Sequence, residues 1–215
     1  GRTTQVAFKR GLSSGGVLDI ITGGDLGDPS TQKAVTHYIS TCKVLVVFMQ
    51  PKCRSVGKPA NFNRVMHYDT WKKHHDEDLP HIQYCGQVAL LQESLGRFWL
   101  REQAEGTNMD KIWPWTKVRE SDNVHDRYTE QCATGAIDES SGLRARKRTL
   151  LTANHVLLLE PFDDYKCDGT HEHARPTGKA LERLRVYPWK FCEIVVRGIR
   201  NLKRTSDKER MCHGY

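Results

Sequence analysis

Cysteine and histidine residues are concentrated in one short segment of the chain. Three residues separate Cys167 from His171, and His173 lies two positions further on, with Gly169 giving the backbone freedom to turn. Thiolate and imidazole groups at such spacing are typical ligands of a structural zinc ion, which takes four of them in a tetrahedron. We therefore predict a zinc site in this segment, with a fourth ligand from elsewhere in the chain.

Three residues are candidates for that fourth ligand. Cys132 is the first choice, Cys192 is the second, and His155 is a weaker third. The alternative is a histidine-rich surface loop beside an unrelated cysteine, and the spacing alone leaves it open.

The remaining cysteines favour a reducing compartment. The chain of 215 residues has seven cysteines, an odd number, and is long enough to form a core without disulfides. Its first residues, 1–5, are polar, lack an initiator Met and do not form a secretory signal, which predicts a piece of a longer protein. We expect an intracellular location, either nuclear or cytoplasmic.

Two residues after apolar segments can do chemistry of another kind. Cys53 lies between Lys52 and Arg54, and neighbouring cations stabilise the thiolate that a nucleophilic cysteine needs. Glu102 is a candidate general acid, or a carboxylate that binds the edge of a nucleobase. The plain alternatives are a half-buried cysteine in a turn and a surface glutamate at a strand end.

Two aspartates near the start of the chain are candidates for binding a nucleotide-like cofactor. Asp19 and Asp25 flank Gly23 and Gly24, and an acidic residue at such a position holds ribose hydroxyls in doubly wound folds. The alternative is ordinary turn chemistry, because Asp beside Gly favours tight turns.

Hydrophobic periodicity predicts alternating strands and helices, and hence an α/β fold with an open, mostly parallel sheet. The predicted helices cover residues 2–11, 29–39, 78–95 and 188–203, and the predicted strands cover 17–21, 43–49, 97–101, 130–136 and 148–153. Segment 43–49 is apolar throughout, which predicts a central strand buried on both faces. Asp78 is expected to cap its helix with Pro80 in the first turn. Segments 51–63 and 103–118 are predicted loops.

The charge balance indicates a polyanionic partner. The net charge is +7 and the isoelectric point is about 9.1, with cations concentrated late in the chain. Such basicity favours nucleic acid, because phosphate neutralisation releases counterions. No apolar run approaches the roughly 20 residues that a membrane helix needs.

The order of short motifs resembles the DNA (cytosine-5)-methyltransferase fold, in the divergent form found in retrotransposon polyproteins of algae and other protists. The matching segments run over nearly the whole chain: Gly23-Gly-Asp-Leu26, Pro51-Lys-Cys53, Phe98-Trp-Leu-Arg-Glu102, Gln131-Cys-Ala-Thr-Gly135, Lys147-Arg-Thr149 to Asn154, Cys167 to His173, and Tyr187-Pro188 with Cys192. Each motif is short, so the ordered series carries the resemblance.

The resemblance implies roles for several of these residues. Cys53 would attack carbon 6 of a flipped-out cytosine in DNA, and Glu102 would hold the ring nitrogen of that base. Asp19 would bind the ribose of S-adenosylmethionine and Asp25 its adenine. Thr3 would belong to the tail of the cofactor loop.

The same resemblance implies a Rossmann-like, S-adenosylmethionine-dependent methyltransferase fold that is truncated at its N-terminus and carries a zinc-stapled C-terminal region. We expect a methyltransferase-like core over residues 1–125. The C-terminal strands, the metal loop and a basic helix would occupy 126–203 of the same domain, and a basic tail 204–215. A zinc-stabilised nucleic-acid-binding module without catalytic activity is the alternative.

Overall fold

The computed structural model describes residues 1–18, 23–174 and 183–212, and the side chains up to residue 207 in the last of these ranges. Six helices are named in chain order: α1 (Arg2–Lys9), α2 (Pro29–Thr41), α3 (Lys58–Met66), α4 (Tyr68–Ser94), α5 (Trp115–Val118) and α6 (Trp189–Cys212). Six strands are named likewise: β1 (Val46–Met49), β2 (Phe98–Ala104), β3 (His125–Glu130), β4 (Arg144–Ala145), β5 (Arg148–Ala153) and β6 (His173–Ala174). The fold is mixed α/β.

The chain divides into two compact units. One contains residues 1–14, 126–151 and 156–215, and the other contains residues 15–125 and 152–155. The first has 20 Lys and Arg against 13 Asp and Glu, whereas the second has 13 of each, so the first carries the whole net charge of +7. We call them the basic unit and the neutral unit. Residues 1–14 thus group with the C-terminal segment.

Parallel pairing of β1 with β2 organises the neutral unit. Val46 lies opposite Phe98 and Met49 lies opposite Arg101. The carboxamide of Asn154, the residue after β5, contacts the start of β2: it accepts a hydrogen bond from the Trp99 N–H and donates one to the Arg97 carbonyl, both at 2.9 Å. The strand order is β1-β2-β5-β3, and β5 passes from the basic unit into the neutral unit at residue 152.

The core of the neutral unit lies between α4 and the sheet. It is formed by the buried side chains of Ile39, Met49, Val56, Ile82, Tyr84, Cys85, Val88, Ala89, Trp99, Met109, Trp115 and Val118. Trp99 and Trp115 meet edge to face with their ring centroids 5.9 Å apart. Such aromatic pairs stabilise a core beyond the area that they bury.

In the basic unit, α6 is the central element. Its apolar face is fully buried at Phe191, Cys192, Val195 and neighbouring positions, and α1 packs on it. Gly198 lets the helix approach the 156–158 turn closely, since a Cβ there would lie 2.9 Å from the Leu158 carbonyl oxygen. A larger residue at position 198 would separate the two backbones.

Several predicted elements are confirmed with shifted ends. Helices α1, α2 and α6 and strand β5 begin within two residues of their predicted starts. Asp28 caps α2 by accepting a hydrogen bond from the Thr31 N–H. Of the predicted strand 17–21, Val17 and Leu18 are exposed and irregular, and the rest lies outside the described residues.

The predicted start of the long helix is wrong. Helix α4 begins at Tyr68, ten residues before Asp78, and Pro80 lies inside it. Asp78 does not cap a helix, because it lies inside α4. It is fully buried, and the Arg54 guanidinium contacts its carboxylate at 2.9 Å. The first ten residues of α4 are mostly polar and give no hydrophobic period to predict from.

Two strand predictions also need correction. Strand β1 is half-buried, and within the described residues it pairs only with β2, so it is not a central strand. The predicted strand 130–136 is instead the end of β3 followed by a 3₁₀ turn over Gln131–Thr134. Segment 103–118, predicted as a loop, contains a 3₁₀ turn at Met109–Lys111 and helix α5.

Candidate metal centre

The four predicted ligands come together in the basic unit. One ligand atom from each of Cys132, Cys167, His171 and His173 lies within 4.8 Å of all the others. The Sγ atom of Cys167 is 3.7 Å from Nε2 of His171 and 3.3 Å from Nε2 of His173. Two sulfur and two nitrogen donors at this separation can hold a metal ion.

Residues 131–134, which were predicted to be part of a strand, form the turn that positions Cys132. The chain turns there as a 3₁₀ helix, ended by Gly135 in the left-handed conformation at φ 91°. The Gln131 side chain donates a hydrogen bond to the Thr149 hydroxyl at 3.0 Å and ties the turn to β5.

A tight turn brings Cys167 and His171 to the same side of their loop. The Asp168 carboxylate accepts hydrogen bonds from the N–H and the hydroxyl of Thr170, at 3.0 and 2.8 Å. Gly169 occupies the left-handed region at φ 74°, where residues with a Cβ are strained. The following strand, β6, pairs in parallel with β4, with His173 opposite Arg144.

Two carboxylates outside the ligand set support it. Oδ1 of Asp168 lies 3.4 Å from Nδ1 of His171, the ring nitrogen that faces away from the thiolate. Oε2 of Glu130 accepts the backbone N–H of Cys167 at 3.0 Å. Outer carboxylates of this kind fix the tautomer and orientation of ligands in metal sites. Neither residue was among those predicted from the sequence, although they lie one and two positions from ligands.

The pKa values of Cys132 and Glu130 are shifted in opposite directions. Burial, followed by the adjacent Cys167 thiol, raises the pKa of Cys132 to about 11 in the metal-free chain. Burial also acts to raise the pKa of Glu130, but hydrogen bonds from Arg146 and the Cys167 N–H outweigh it, so that pKa is lowered. Glu130 is therefore an ionised anchor, whereas a metal must displace the proton of Cys132.

The other two candidates for the fourth ligand lie elsewhere. Cys192 is buried on α6, and burial raises the pKa of its thiol against the effect of a hydrogen bond with the Thr3 hydroxyl. His155 meets the Phe98 ring edge to face at 5.3 Å in the neutral unit. Among the described residues, the group of possible metal ligands contains Cys132 and neither of these.

Cys53 and Glu102, the residues predicted for methyl transfer, are half-buried and buried, respectively. Cys53 is half-buried against the core of the neutral unit. Its neighbour Arg54, expected to stabilise a thiolate, is paired with Glu77 at 2.8 Å and Asp78 at 2.9 Å. Glu102 lies within β2, not after it, and is 5% exposed.

The predicted cofactor-binding residues are not assembled into a site by the described contacts. Asp19 lies outside the described residues. Asp25 is exposed and accepts the Gly27 N–H at 2.8 Å, which is the turn chemistry considered as its alternative. Thr3 lies on α1 in the basic unit and contacts Cys192.

Comparisons with known proteins identify no relative of this chain. No protein-family model, curated protein or solved structure matches the chain. Within the described residues no helix is long and apolar enough to cross a membrane. Function is therefore inferred from the site and from the charge of the two units.

Proposed function

We propose that this chain is a zinc-stabilised nucleic-acid-binding module. The observation that carries the metal half of the proposal is the spacing of the donors. With Zn–S near 2.3 Å and Zn–N near 2.0 Å, the sulfur–nitrogen edge of a tetrahedron is about 3.5 Å. The separations from Cys167 to His171 and His173, 3.7 and 3.3 Å, bracket that edge.

The proposed role of zinc is structural. Cys132, Cys167, His171 and His173 supply four ligands, which fill a tetrahedral site and leave no position for a substrate or an activated water. The ligands come from a 3₁₀ turn, a loop and strand β6, so one ion would join three segments of the chain. Zinc binding is then coupled to the folding of this region.

The charge of the basic unit supports the nucleic-acid half of the proposal. That unit has seven more cations than acidic groups, while the neutral unit is balanced. Exposed cations include Lys9, Arg144, Arg146, Arg148, Lys203 and Arg204. A surface of this kind binds polyphosphate chains through counterion release, independently of base sequence.

Fluorescence anisotropy with a labelled oligonucleotide tests the proposal. Binding should weaken as salt rises, with a linear relation between the logarithms of the association constant and the salt concentration. Charge reversal at Lys203 and Arg204 should reduce the slope, while reversal of Lys72 in the neutral unit should leave it unchanged. Absence of binding at low salt would overturn the proposal.

A second candidate function is DNA cytosine methylation with S-adenosylmethionine, as a domain of a mobile-element polyprotein. One observation favours it. Strands β1 and β2 are parallel neighbours, so their carboxyl ends lie at one edge of the sheet, the edge where ligands bind in open α/β sheets. Cys53 follows β1, and Glu102 lies one residue beyond the last paired position of β2.

Transfer of a labelled methyl group from S-adenosylmethionine to DNA tests this second candidate. Cys53→Ser should abolish transfer, because serine is a far weaker nucleophile than a thiolate. Cys42→Ser, at an exposed cysteine, is the matched control. Equal transfer by the two variants, or none by the unaltered chain, would contradict the mechanism.

A further inference from the structure

A surface pocket between α1 and α6 combines an aromatic ring with several cations. It has a volume of about 370 Å³ and is lined by Val6, Lys9, Arg10, Trp189 and Glu193. All five residues belong to the basic unit, and none is a ligand or an outer carboxylate of the metal centre.

Trp189 is the main apolar surface of this pocket. Its side chain is 45% exposed, although α6 buries apolar residues on its other face. It is also the one tryptophan in the sequence of the basic unit. A large, half-exposed aromatic ring in a pocket is a typical stacking surface for a planar ligand.

Two cations lie over the Trp189 ring. The Arg2 guanidinium lies 5.2 Å from the ring centroid, and the Lys9 ammonium lies 5.7 Å from it. Arg2 is held in place because it donates a hydrogen bond to the Tyr187 carbonyl at 2.7 Å. Lys9 is exposed at the rim, where its charge is available to an anionic group.

The opposite side of the pocket offers one acceptor. The Glu193 carboxylate lies 3.9 Å from the Arg10 guanidinium, a separation that leaves room for competition by a ligand. A carboxylate accepts hydrogen bonds from an exocyclic amino group on a base edge. The pocket thus holds a stacking surface, cations for a phosphate and an acceptor for an amine.

We infer that this pocket binds one unstacked nucleotide of a single-stranded nucleic acid, with its base against Trp189 and its phosphate beside Lys9 and Arg10. The inference rests on the proposed nucleic-acid-binding function and adds a specific subsite to it. A single strand is required, because the bases of a duplex are stacked on one another and cannot enter a pocket.

Anisotropy titration of a labelled single-stranded oligonucleotide with the metal-loaded chain tests the subsite. Trp189→Ala should weaken binding roughly 5- to 150-fold, the range for loss of one base–aromatic stack, and Trp189→Phe should retain most of the affinity. Lys9→Ala should reduce the salt slope by about 0.7. The effect of Trp189→Ala on a duplex of the same sequence should be smaller.

Two variants serve as controls within the same unit. Tyr128→Ala removes another half-exposed aromatic ring, and Arg183→Ala removes an exposed cation paired with Glu139. The first should leave single-strand affinity unchanged, and the second should lower it only to the extent that any exposed cation does. A loss in Tyr128→Ala as large as in Trp189→Ala would overturn the subsite.

A second measurement does not depend on the folding of the alanine variant. With 5-fluorotryptophan incorporated, the ¹⁹F resonance that is missing from Trp189→Phe belongs to Trp189 and should shift when oligonucleotide is added. An unshifted resonance, or unchanged affinity of Trp189→Ala, overturns the subsite while leaving the general function intact. If the unaltered chain binds no oligonucleotide at low salt, both proposals fail.

Discussion

The Nε2 atom of His173 lies 3.3 Å from the Sγ atom of Cys167, although the two residues belong to different elements, a loop and strand β6. The pairing of β6 with β4 fixes His173, and the turn at Gly169 fixes the loop. The metal centre is thus built from a strand pairing and a glycine turn, which one ion would join to Cys132.

Removal of the metal should destabilise the basic unit. The purified chain should contain about one zinc ion, and a strong chelator should lower its thermal unfolding midpoint, because structural zinc binding is coupled to folding. Elemental analysis and a calorimetric scan with and without chelator measure this. A metal-free chain with an unchanged midpoint would contradict both the zinc assignment and its structural role.

The fourth ligand can be identified by two matched substitutions. Cys132→Ser should reduce zinc affinity by orders of magnitude, because serine is a poor zinc ligand and the other three donors would remain. Cys192→Ser should keep one zinc per chain, since Cys192 is buried beside Thr3 on α6. Competition with a chromogenic chelator gives the affinities. The reverse order would assign the site to Cys192.

An ion pair with a fully buried cation should stabilise the neutral unit. Arg101 is fully buried, and its guanidinium lies 2.7 Å from the Asp110 carboxylate and 4.2 Å from the centroid of Trp115. Asp110→Asn should lower the free energy of unfolding by roughly 3–5 kcal/mol, because it removes the charge of a carboxylate that the buried guanidinium contacts. Urea denaturation measures the loss.

The same pair should make the chain sensitive to acid. Burial acts to raise the pKa of Asp110, but the charge of Arg101 and hydrogen bonds from both arginines outweigh it and lower that pKa. The contribution of Asp110 to the free energy of unfolding is therefore present above its pKa in the unfolded chain, and it is lost as pH falls through its pKa in the folded chain. Asp110→Asn should lack this part of the pH dependence, whereas Asp76→Asn, in an exposed pair, should retain it.

Cys85 should make the neutral unit sensitive to alkali. Burial raises the pKa of its thiol from 9.0 to about 12, and the nearby Arg101 opposes this only in part. The folded state thus prefers the neutral thiol. The contribution of Cys85 to the free energy of unfolding is therefore fully present below pH 9 and declines by roughly 4 kcal/mol as pH rises toward 12, because the thiol ionises first in the unfolded chain. Cys85→Ala should flatten the decline, measured by denaturation at several pH values. Cys42→Ala, at an exposed cysteine, should leave this decline unchanged.

The sequence was most informative where a chemical requirement is local. The Cys-x₃-His-x-His spacing and the turn-forming Gly169 predict ligands close together, and the structure brings them together with Cys132. Helix α6 and strand β5 follow the hydrophobic pattern that predicts them. The mixed α/β class follows from the alternation of such segments, while a cofactor-binding arrangement of the Rossmann type stays a prediction.

The errors arose where distant contacts override local preference. Asp78 has the composition of a helix cap, but Arg54, twenty-four positions earlier, pairs with it and allows it to be buried within α4. Residues 130–136 have the composition of a strand, but a 3₁₀ turn forms because the Gln131 side chain bonds to Thr149. Neither partner can be identified from local propensity.

By itself, the sequence determined the chemistry available: two thiols and two imidazoles for a metal, a surplus of seven positive charges, and a cysteine between two cations. The tertiary structure decided which of these groups act together. It placed Cys132, and not Cys192, with the histidine loop, paired Arg54 with carboxylates, and confined the surplus charge to one unit. Ligand types are local properties of residues, whereas proximity depends on long-range packing, which spacing along the chain does not encode.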